Sequence, residues 1–206
     1  MKKLQRLLAL LILVAGVSVA AKAEFRWGAT AGVNVTNLNF KQDLVEVGKN
    51  VGPVLGVQGE MMFPGIGFGL DLGAMYSMQG ASLNLGKWPM WANEGYGKER
   101  VYMHTLSLPV NLRFKWTRMN GFEDILAPFI FGGPIFNFTV AHSGMDAMKF
   151  PGGSIGVQAG GGIELFKRWQ IQGSYVWGMT HAIKAVKLHD FTARERYWTV
   201  RAVYFF

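Results

Sequence analysis

The stretch YWTVRAVYFF, residues 197–206, decides the fold. Trp198, Val200, Ala202, Tyr204 and Phe206 share one parity, while Tyr197, Thr199, Arg201, Val203 and Phe205 share the other. A period of two predicts a strand. One face is strongly aromatic, and left as an open edge such a strand would template aggregation. It is safe only if both edges are paired and the aromatic face meets something other than water.

The other end supplies the context. Residues 1–23 read MKKLQRLLALLILVAGVSVAAKA, with a basic start at Lys2, Lys3 and Arg6, an apolar run from Leu7 to Val14, and a small-x-small site at Ala21-Lys22-Ala23. This is the layout of a secretory signal peptide, so cleavage is expected before Glu24 and one domain over 24–206. Without Lys2, Lys3, Arg6 and Lys22 the formal charge of +8 becomes +4. That is too mild to suggest a nucleic-acid partner. The absence of cysteine excludes disulfide scaffolds, thiolate metal sites, a cysteine nucleophile and a lipidated N-terminal cysteine. No apolar run of about eighteen residues follows the signal, so no membrane helix is expected. A secreted chain with 27 glycines and many aromatics points to a sheet whose apolar face is solvated by lipid.

Eight segments alternate with period two, most near the roughly 9–11 residues a tilted membrane strand needs. In FRWGATAGVNVT, Trp27, Ala29, Ala31, Val33 and Val35 oppose Gly28, Thr30, Gly32 and Asn34; in VGPVLGVQGEMMF, Leu55, Val57 and Met61 oppose Gln58 and Glu60. In IGFGLDLGAMYSMQG, Phe68, Leu70, Leu72, Ala74, Tyr76 and Met78 oppose Gly69, Asp71, Gly73, Ser77 and Gln79. In VYMHTLSLPVNLRFKW, Leu106 to Phe114 alternate with Thr105, Ser107, Asn111 and Arg113, and Pro109 predicts a bulge or a missing ladder bond. LAPFIFGGPIFNF is apolar on both parities, and its faces stay unassigned. GSIGVQAGGGIELF and WQIQGSYVWG alternate again, with Gln158, Glu164, Gln170 and Gln172 on the polar side.

The connections at 64–65 and 166–168 are tight, and 116–125 is of medium length. Those at 37–50, 80–100, 139–152 and 179–195 are long. Short turns on one side and long loops on the other are the asymmetry of an outer-membrane barrel, periplasm and exterior respectively. The expected fold is therefore all-β: an eight-stranded antiparallel up-and-down transmembrane β-barrel in a Gram-negative outer membrane, with both termini periplasmic. Tryptophan placement agrees. Trp27, Trp116 and Trp169 fall at the expected periplasmic rim with Tyr204 and Phe206, and Trp177 and Trp198 fall at the outer rim, where amphipathic rings collect. The terminal strand then pairs with the first, and no edge remains. A C-terminal alternating strand ending in an aromatic also resembles the signal read by the barrel-assembly machinery, an expected partner during insertion.

At Tyr76-Ser77-Met78-Gln79-Gly80-Ala81 the chain resembles the PorT-like small outer-membrane barrels of the Bacteroidota. Leu106-Ser107-Leu108-Pro109-Val110, Pro128 to Pro134, Gly160-Gly161-Gly162-Ile163-Glu164 and Gly178-Met179-Thr180 resemble further segments of that family in the same order. The resemblance implies a single eight-stranded barrel in the outer membrane. Through the family's association with type IX secretion, it also implies secretion-system components as partners. The expanded 80–100 loop and the doubly apolar fifth strand depart from the pattern.

The inward polar residues Glu60, Asp71, Arg113, Glu164, Arg201, Gln58, Gln158, Gln170 and Gln172 are expected to form a hydrogen-bonded network filling the lumen, since eight strands enclose just enough space for side chains. A proton or ion path, hence a narrow porin-like channel, is the alternative. His104, His142, His181 and His189 lack metal-ligand spacing, and no cofactor is expected. His104 with a nearby serine suggests a lipid A acyl hydrolase, but Ser107 has the opposite parity, so no nucleophile–base contact forms and no enzyme is expected. The glycine runs lack the lysine and the helix of a phosphate loop. Trp88 and Trp91, in a long loop, are the candidate binding residues, either for a partner or sugar or by docking on the rim. Outer-membrane lipid is expected around the barrel, and Lys184, Lys187 and Arg194 either meet lipopolysaccharide phosphates or form a solvated charge set. Envelope structure, adhesion and accessory service to secretion are the roles this leaves.

Overall fold

Alternation of lipid-facing and lumen-facing side chains produces long antiparallel strands. The computed structural model describes residues 23–40, 46–65, 67–84, 98–142, 148–149, 152–180, 183–185 and 192–206. Its strands are β1 (Glu24–Phe40), β2 (Glu46–Met62), β3 (Phe68–Asn84), β4 (Lys98–Lys115), β5 (Leu126–His142), β6 (Met148–Lys149), β7 (Gly153–Leu165), β8 (Trp169–Gly178), β9 (Ile183–Ala185) and β10 (Thr192–Phe205). Eight of them form one antiparallel cylinder in the order β1-β2-β3-β4-β5-β7-β8-β10, and β10 pairs back onto β1. The short strands β9 and β6 extend the sheet beside the start of β10.

The register fixes the shape. From Phe25 the paired residues run Met61, Leu70, Leu112, Gly132, Ala159, Tyr175 and Trp198, and return to β1 at Val35. The path has climbed ten residues in one circuit of eight strands, which tilts the strands by about 40° to the axis. Closure pairs both edges of each of the eight barrel strands, which lipid cannot do.

Exposure is inverted relative to a water-soluble core. Leu112 is 56% exposed and Val200 54% exposed on the outer wall, whereas Arg113 is fully buried inside. Both parities of 197–206 fall as expected: Trp198, Val200, Ala202 and Phe206 face out, and Tyr197, Thr199, Arg201, Val203 and Phe205 face in. Two aromatic belts mark the rims. At the short-turn end Trp27 packs on Phe206 at 4.9 Å, Trp169 on Tyr204 at 4.8 Å and Trp116 on Phe114 at 4.9 Å. Toward the other end Tyr175 lies 4.6 Å from Trp177 and 4.8 Å from Trp198.

The structure corrects the expected strand lengths. β1, β2, β3 and β5 have 17 residues and β4 has 18, so much of 37–50, 80–100 and 139–152 is strand rather than loop. Beyond the lipid both faces of a strand meet water, and nothing imposes alternation there. Register shifts at Lys49/Val54 and His104/Thr105 lie toward this end, where bulges at a barrel rim are common. Residues 1–22, Trp88, Trp91, His181, Lys187 and His189 lie outside the described residues.

Pro109 produces the missing ladder bond and no bulge. The β3–β4 pairing breaks between Leu72↔Val110 and Met75↔Ser107 and resumes in the same register. Gly73 sits across from the proline, and a Cβ there would come within 3.0 Å of the Pro109 ring. The fifth segment also resolves: Phe129, Phe131, Ile135 and Asn137 face inward, while Ile130, Phe136 and Phe138 face lipid. Its lumenal rings need space, and β7 provides it. Added Cβ atoms at Gly160 and Gly162 would stand 2.8 Å from the ring carbons Cζ of Phe131 and Phe129 respectively.

Candidate functional site

The lumen near the short turns is crossed by charge. Glu60 on β2 and Asp71 on β3 are direct cross-strand partners, so their acids meet on one wall. Arg113, on β4, answers both. Its Nε donates to Asp71 Oδ2 at 2.7 Å, its Nη1 donates to Glu60 Oε2 at 2.7 Å and to Gln170 Oε1 at 2.9 Å, and its guanidinium lies 4.0 Å above the Phe129 ring. Guanidinium suits this place because its planar fork reaches two carboxylates at once while its face rests on an aromatic ring.

Two further cations complete the network. Lys115 Nζ bridges Glu60 and Glu164, the latter at 2.9 Å. Arg26 bridges the same two acids, with Glu60 at 2.8 Å, and lies over the Phe205 ring at 4.4 Å. Gln170 Nε2 donates to Glu60 at 2.8 Å and to Glu164 at 2.7 Å. Three carboxylates thus face three cations in a net-neutral cluster. Neutrality and dense hydrogen bonding are what make buried ions tolerable. Below the cluster a cavity of about 950 Å³ opens among the short turns, and Arg26, Glu60, Lys115 and Glu164 form its inner wall.

Farther from the turns, Gln172 Nε2 donates to Gln58 Oε1 at 2.8 Å, and Gln158 Nε2 donates to Asn111 Oδ1 at 2.8 Å. Farther along, Ile135, Val176 and Tyr197 form an apolar cluster across the lumen. Paired charges thus lie in the lumen near the short turns, and packed apolar groups lie farther along it.

Of the expected lumen set, Glu60, Asp71, Arg113, Glu164 and Gln170 meet in one network, Gln58 with Gln172 and Gln158 with Asn111 form separate pairs, and Arg201 stands apart, while Arg26 and Lys115 are additions. Arg201 faces inward and is buried, but its Nη1 lies against Met75 Sδ at 2.5 Å and it makes no ion pair among the described residues. Arg26 and Lys115 were missed, although they share parity with Gly28 and Arg113. Charges at a rim ordinarily turn out to water, and here the neighbouring acids draw them in.

The outer wall carries a polar pair between β3 and β4. His104 Nδ1 and the Tyr76 hydroxyl are 2.5 Å apart, with their rings 5.9 Å apart and nearly parallel. Ser107 is buried inside, so His104 and Ser107 occupy opposite faces. Among the described residues no group of acids and histidines is arranged to hold a metal ion. On the exposed turn beyond β7, the hydrogen bond and the charge of Asp124 raise the Lys167 ammonium above its usual value; the pair spans 2.7 Å.

The fold is similar to that of the outer membrane protein OprG from Pseudomonas aeruginosa, at 14% identity and a TM-score of 0.57, covering 90% of this chain and 97% of that one. It also matches Neisserial surface protein A at 10% identity and a TM-score of 0.46, covering 87% and 97%, and Ail of Yersinia pestis at 14% identity and a TM-score of 0.42, covering 89% and 99%. At such identities the likeness concerns the fold alone. No curated protein is significantly similar in sequence. Residues 18–184 match the outer membrane protein beta-barrel domain, and with the closed eight-stranded cylinder around them the chain belongs to that family.

Proposed function

We propose that the protein is a non-conducting, non-enzymatic anchor in the outer membrane that presents its long loops to a partner outside the cell. On this reading residues 1–23 are removed as a signal peptide, and the short turns and both barrel termini lie in the periplasm. The observation that carries the reading is the neutral network of Glu60, Asp71 and Glu164 with Arg26, Arg113 and Lys115. An ion crossing the lumen would have to displace buried, paired charges and then an apolar cluster. The opposite faces of His104 and Ser107 argue against a lipid A hydrolase. Long strands rising past the outer aromatic belt favour a role at the exposed end, where Trp88 and Trp91 are the residues assigned to binding. The PorT-like resemblance adds secretion-system components to the partners to be sought.

Planar-bilayer recording tests the anchor reading: the wild type is expected to give no unit conductance, and stepwise channels would overturn it. Pull-down from solubilised outer membranes tests the loops. A partner held by the wild type and lost from the Trp88→Ala/Trp91→Ala variant supports the assignment, and identical retention by both refutes it. Lipid A mass spectra unchanged on deletion of the gene are expected for a non-enzyme.

A further inference from the structure

A wall solvated by hydrocarbon has no use for groups that need a hydrogen bond, yet β3 and β4 set a phenol and an imidazole there. Tyr76 pairs with Leu106 and Met78 with His104, so Tyr76 and His104 are diagonal neighbours on one face. Tyr76 is exposed and His104 half-buried, on the same outer wall as the exposed Leu72, Leu106 and Phe138. The hydroxyl lies 2.5 Å from Nδ1 with the rings nearly parallel, and Nε2 has no protein partner among the described residues. The register gives the height of the pair. Tyr76 pairs with Leu55, Leu55 with Ala31 and Ala31 with Ala202. Those three steps descend by about four residues, and Trp198 stands four residues above Ala202 on β10. Tyr76 is therefore level with Trp198 in the outer aromatic belt, and His104 stands about 8 Å higher. Hydrocarbon gives way to headgroups at this level. The positions of the same parity beyond His104 on β4 are Tyr102, Arg100 and Lys98, and no acid shares this parity on β3 or β4.

With the Tyr76 hydroxyl donating to Nδ1, the imidazole carries its hydrogen on Nε2 and presents a donor to whatever lies beside the wall. We propose that this part of the β3–β4 wall is a binding site for a lipid phosphate, that of lipid A in the outer leaflet. His104 Nε2 donates to a phosphate oxygen, Tyr76 positions the ring, and Arg100 and Lys98 contribute positive charge. The acyl chains of the same lipid lie on Leu106 and Leu72 below. A charge-assisted bond to phosphate satisfies a donor that hydrocarbon would leave bare. The site holds the lipid without cleaving it, because Ser107 faces the lumen. The assignment to lipid A rests on the reading that the long-loop end of the barrel is outside the cell; the recognition of phosphate does not.

The test places the full chain in phosphatidylcholine nanodiscs containing lipid A, dephosphorylated lipid A or phosphatidylglycerol, and measures retained lipid by native mass spectrometry. Tyr76→Phe and His104→Phe put an apolar ring against lipid, so both are expected to fold. The wild type is expected to retain lipid A about tenfold better than His104→Phe does, the loss of one hydrogen bond to a charged group. It is also expected to prefer lipid A to the dephosphorylated form and to phosphatidylglycerol. Spectra of ¹⁵N-labelled histidine, with His104 identified by its loss in His104→Phe, read the positioning: a single tautomer with hydrogen on Nε2 in the wild type, and a mixture in Tyr76→Phe. Equal retention of lipid A by the wild type and His104→Phe overturns the site, as does equal retention of either other lipid by the wild type. An unchanged tautomer in Tyr76→Phe overturns the role of the tyrosine. Orientation is read separately, with a membrane-impermeant maleimide on Thr117→Cys, an exposed position between β4 and β5. Labelling only after permeabilisation supports the outer-leaflet assignment, and labelling of intact cells overturns it whatever the nanodiscs show.

Discussion

Removing Arg113 puts the lumen network under the most direct strain. Arg113→Ala takes away the only cation bonded to Asp71 among the described residues, while Glu60 keeps Lys115 and Arg26. It also removes the guanidinium 4.0 Å above the Phe129 ring. Breaking one partner out of a buried pair costs about 3–5 kcal/mol, mostly because the other charge is stranded. The face-on ring contact, worth up to about 2 kcal/mol when desolvated, overlaps with that figure. If the stranded charge dominates, adding Asp71→Asn to Arg113→Ala should recover about half the loss, a coupling of about 2 kcal/mol. Urea unfolding in lipid vesicles, followed by tryptophan fluorescence, gives the four free energies of the cycle. The barrel should remain closed to ions in every variant, because the apolar cluster of Ile135, Val176 and Tyr197 stays in place. A loss below about 0.5 kcal/mol for Arg113→Ala, or a double variant no more stable than the single, would refute the network as the source of lumen stability.

Further substitutions probe separate parts of the structure. Gly121 has a φ of 89° and open space where a Cβ would stand, and Gly152 is similarly open without a positive φ; Gly121→Ala should therefore cost about 1 kcal/mol while Gly152→Ala is neutral, both read by urea midpoint. Gly162→Ala should cost about 1–3 kcal/mol through overpacking, because the new carbon would meet the Ile171 backbone and the Phe129 ring; the same urea assay decides it. Asp124→Asn should leave the melting temperature unchanged at neutral pH, since the Lys167 pair is exposed. With the folded Lys167 pKa raised, any contribution the pair made would be complete at pH near 7, below the unfolded value of about 10.4, and would fade only as pH rises through the folded one; a melting temperature lowered by Asp124→Asn at that neutral pH would show that the exposed pair does stabilise the fold.

Most of the wall was legible in the sequence because lipid imposes strict alternation. β3 and β10 show this best: each outward residue from Phe68 to Met78 and from Trp198 to Phe206 is aliphatic or aromatic, and each takes the outer face. β5 was opaque because Phe129, Phe131 and Ile135 point into the lumen, so both parities read as apolar. The signal that would have placed them is the pair Gly160 and Gly162 on the strand beside them, which leaves room for two rings. Strand ends toward the long loops were also hidden, because alternation lapses where no lipid face exists. In the lumen, parity identified the charged residues Glu60, Asp71, Arg113 and Glu164, yet partnership depends on reach across the cylinder. That is why Arg201, equally inward, stands apart from them while Arg26 and Lys115 join.

Closure of β10 on β1 carries the whole account, and a cysteine-free chain makes it directly measurable. Ala31 and Ala202 are cross-strand partners on the outer wall, at a separation a disulfide spans. Ala31→Cys/Ala202→Cys in outer-membrane vesicles is predicted to cross-link on mild oxidation as readily as the β1–β2 pair Ala31→Cys/Leu55→Cys. Cross-linking of the β1–β2 pair alone would mean that the cylinder is open.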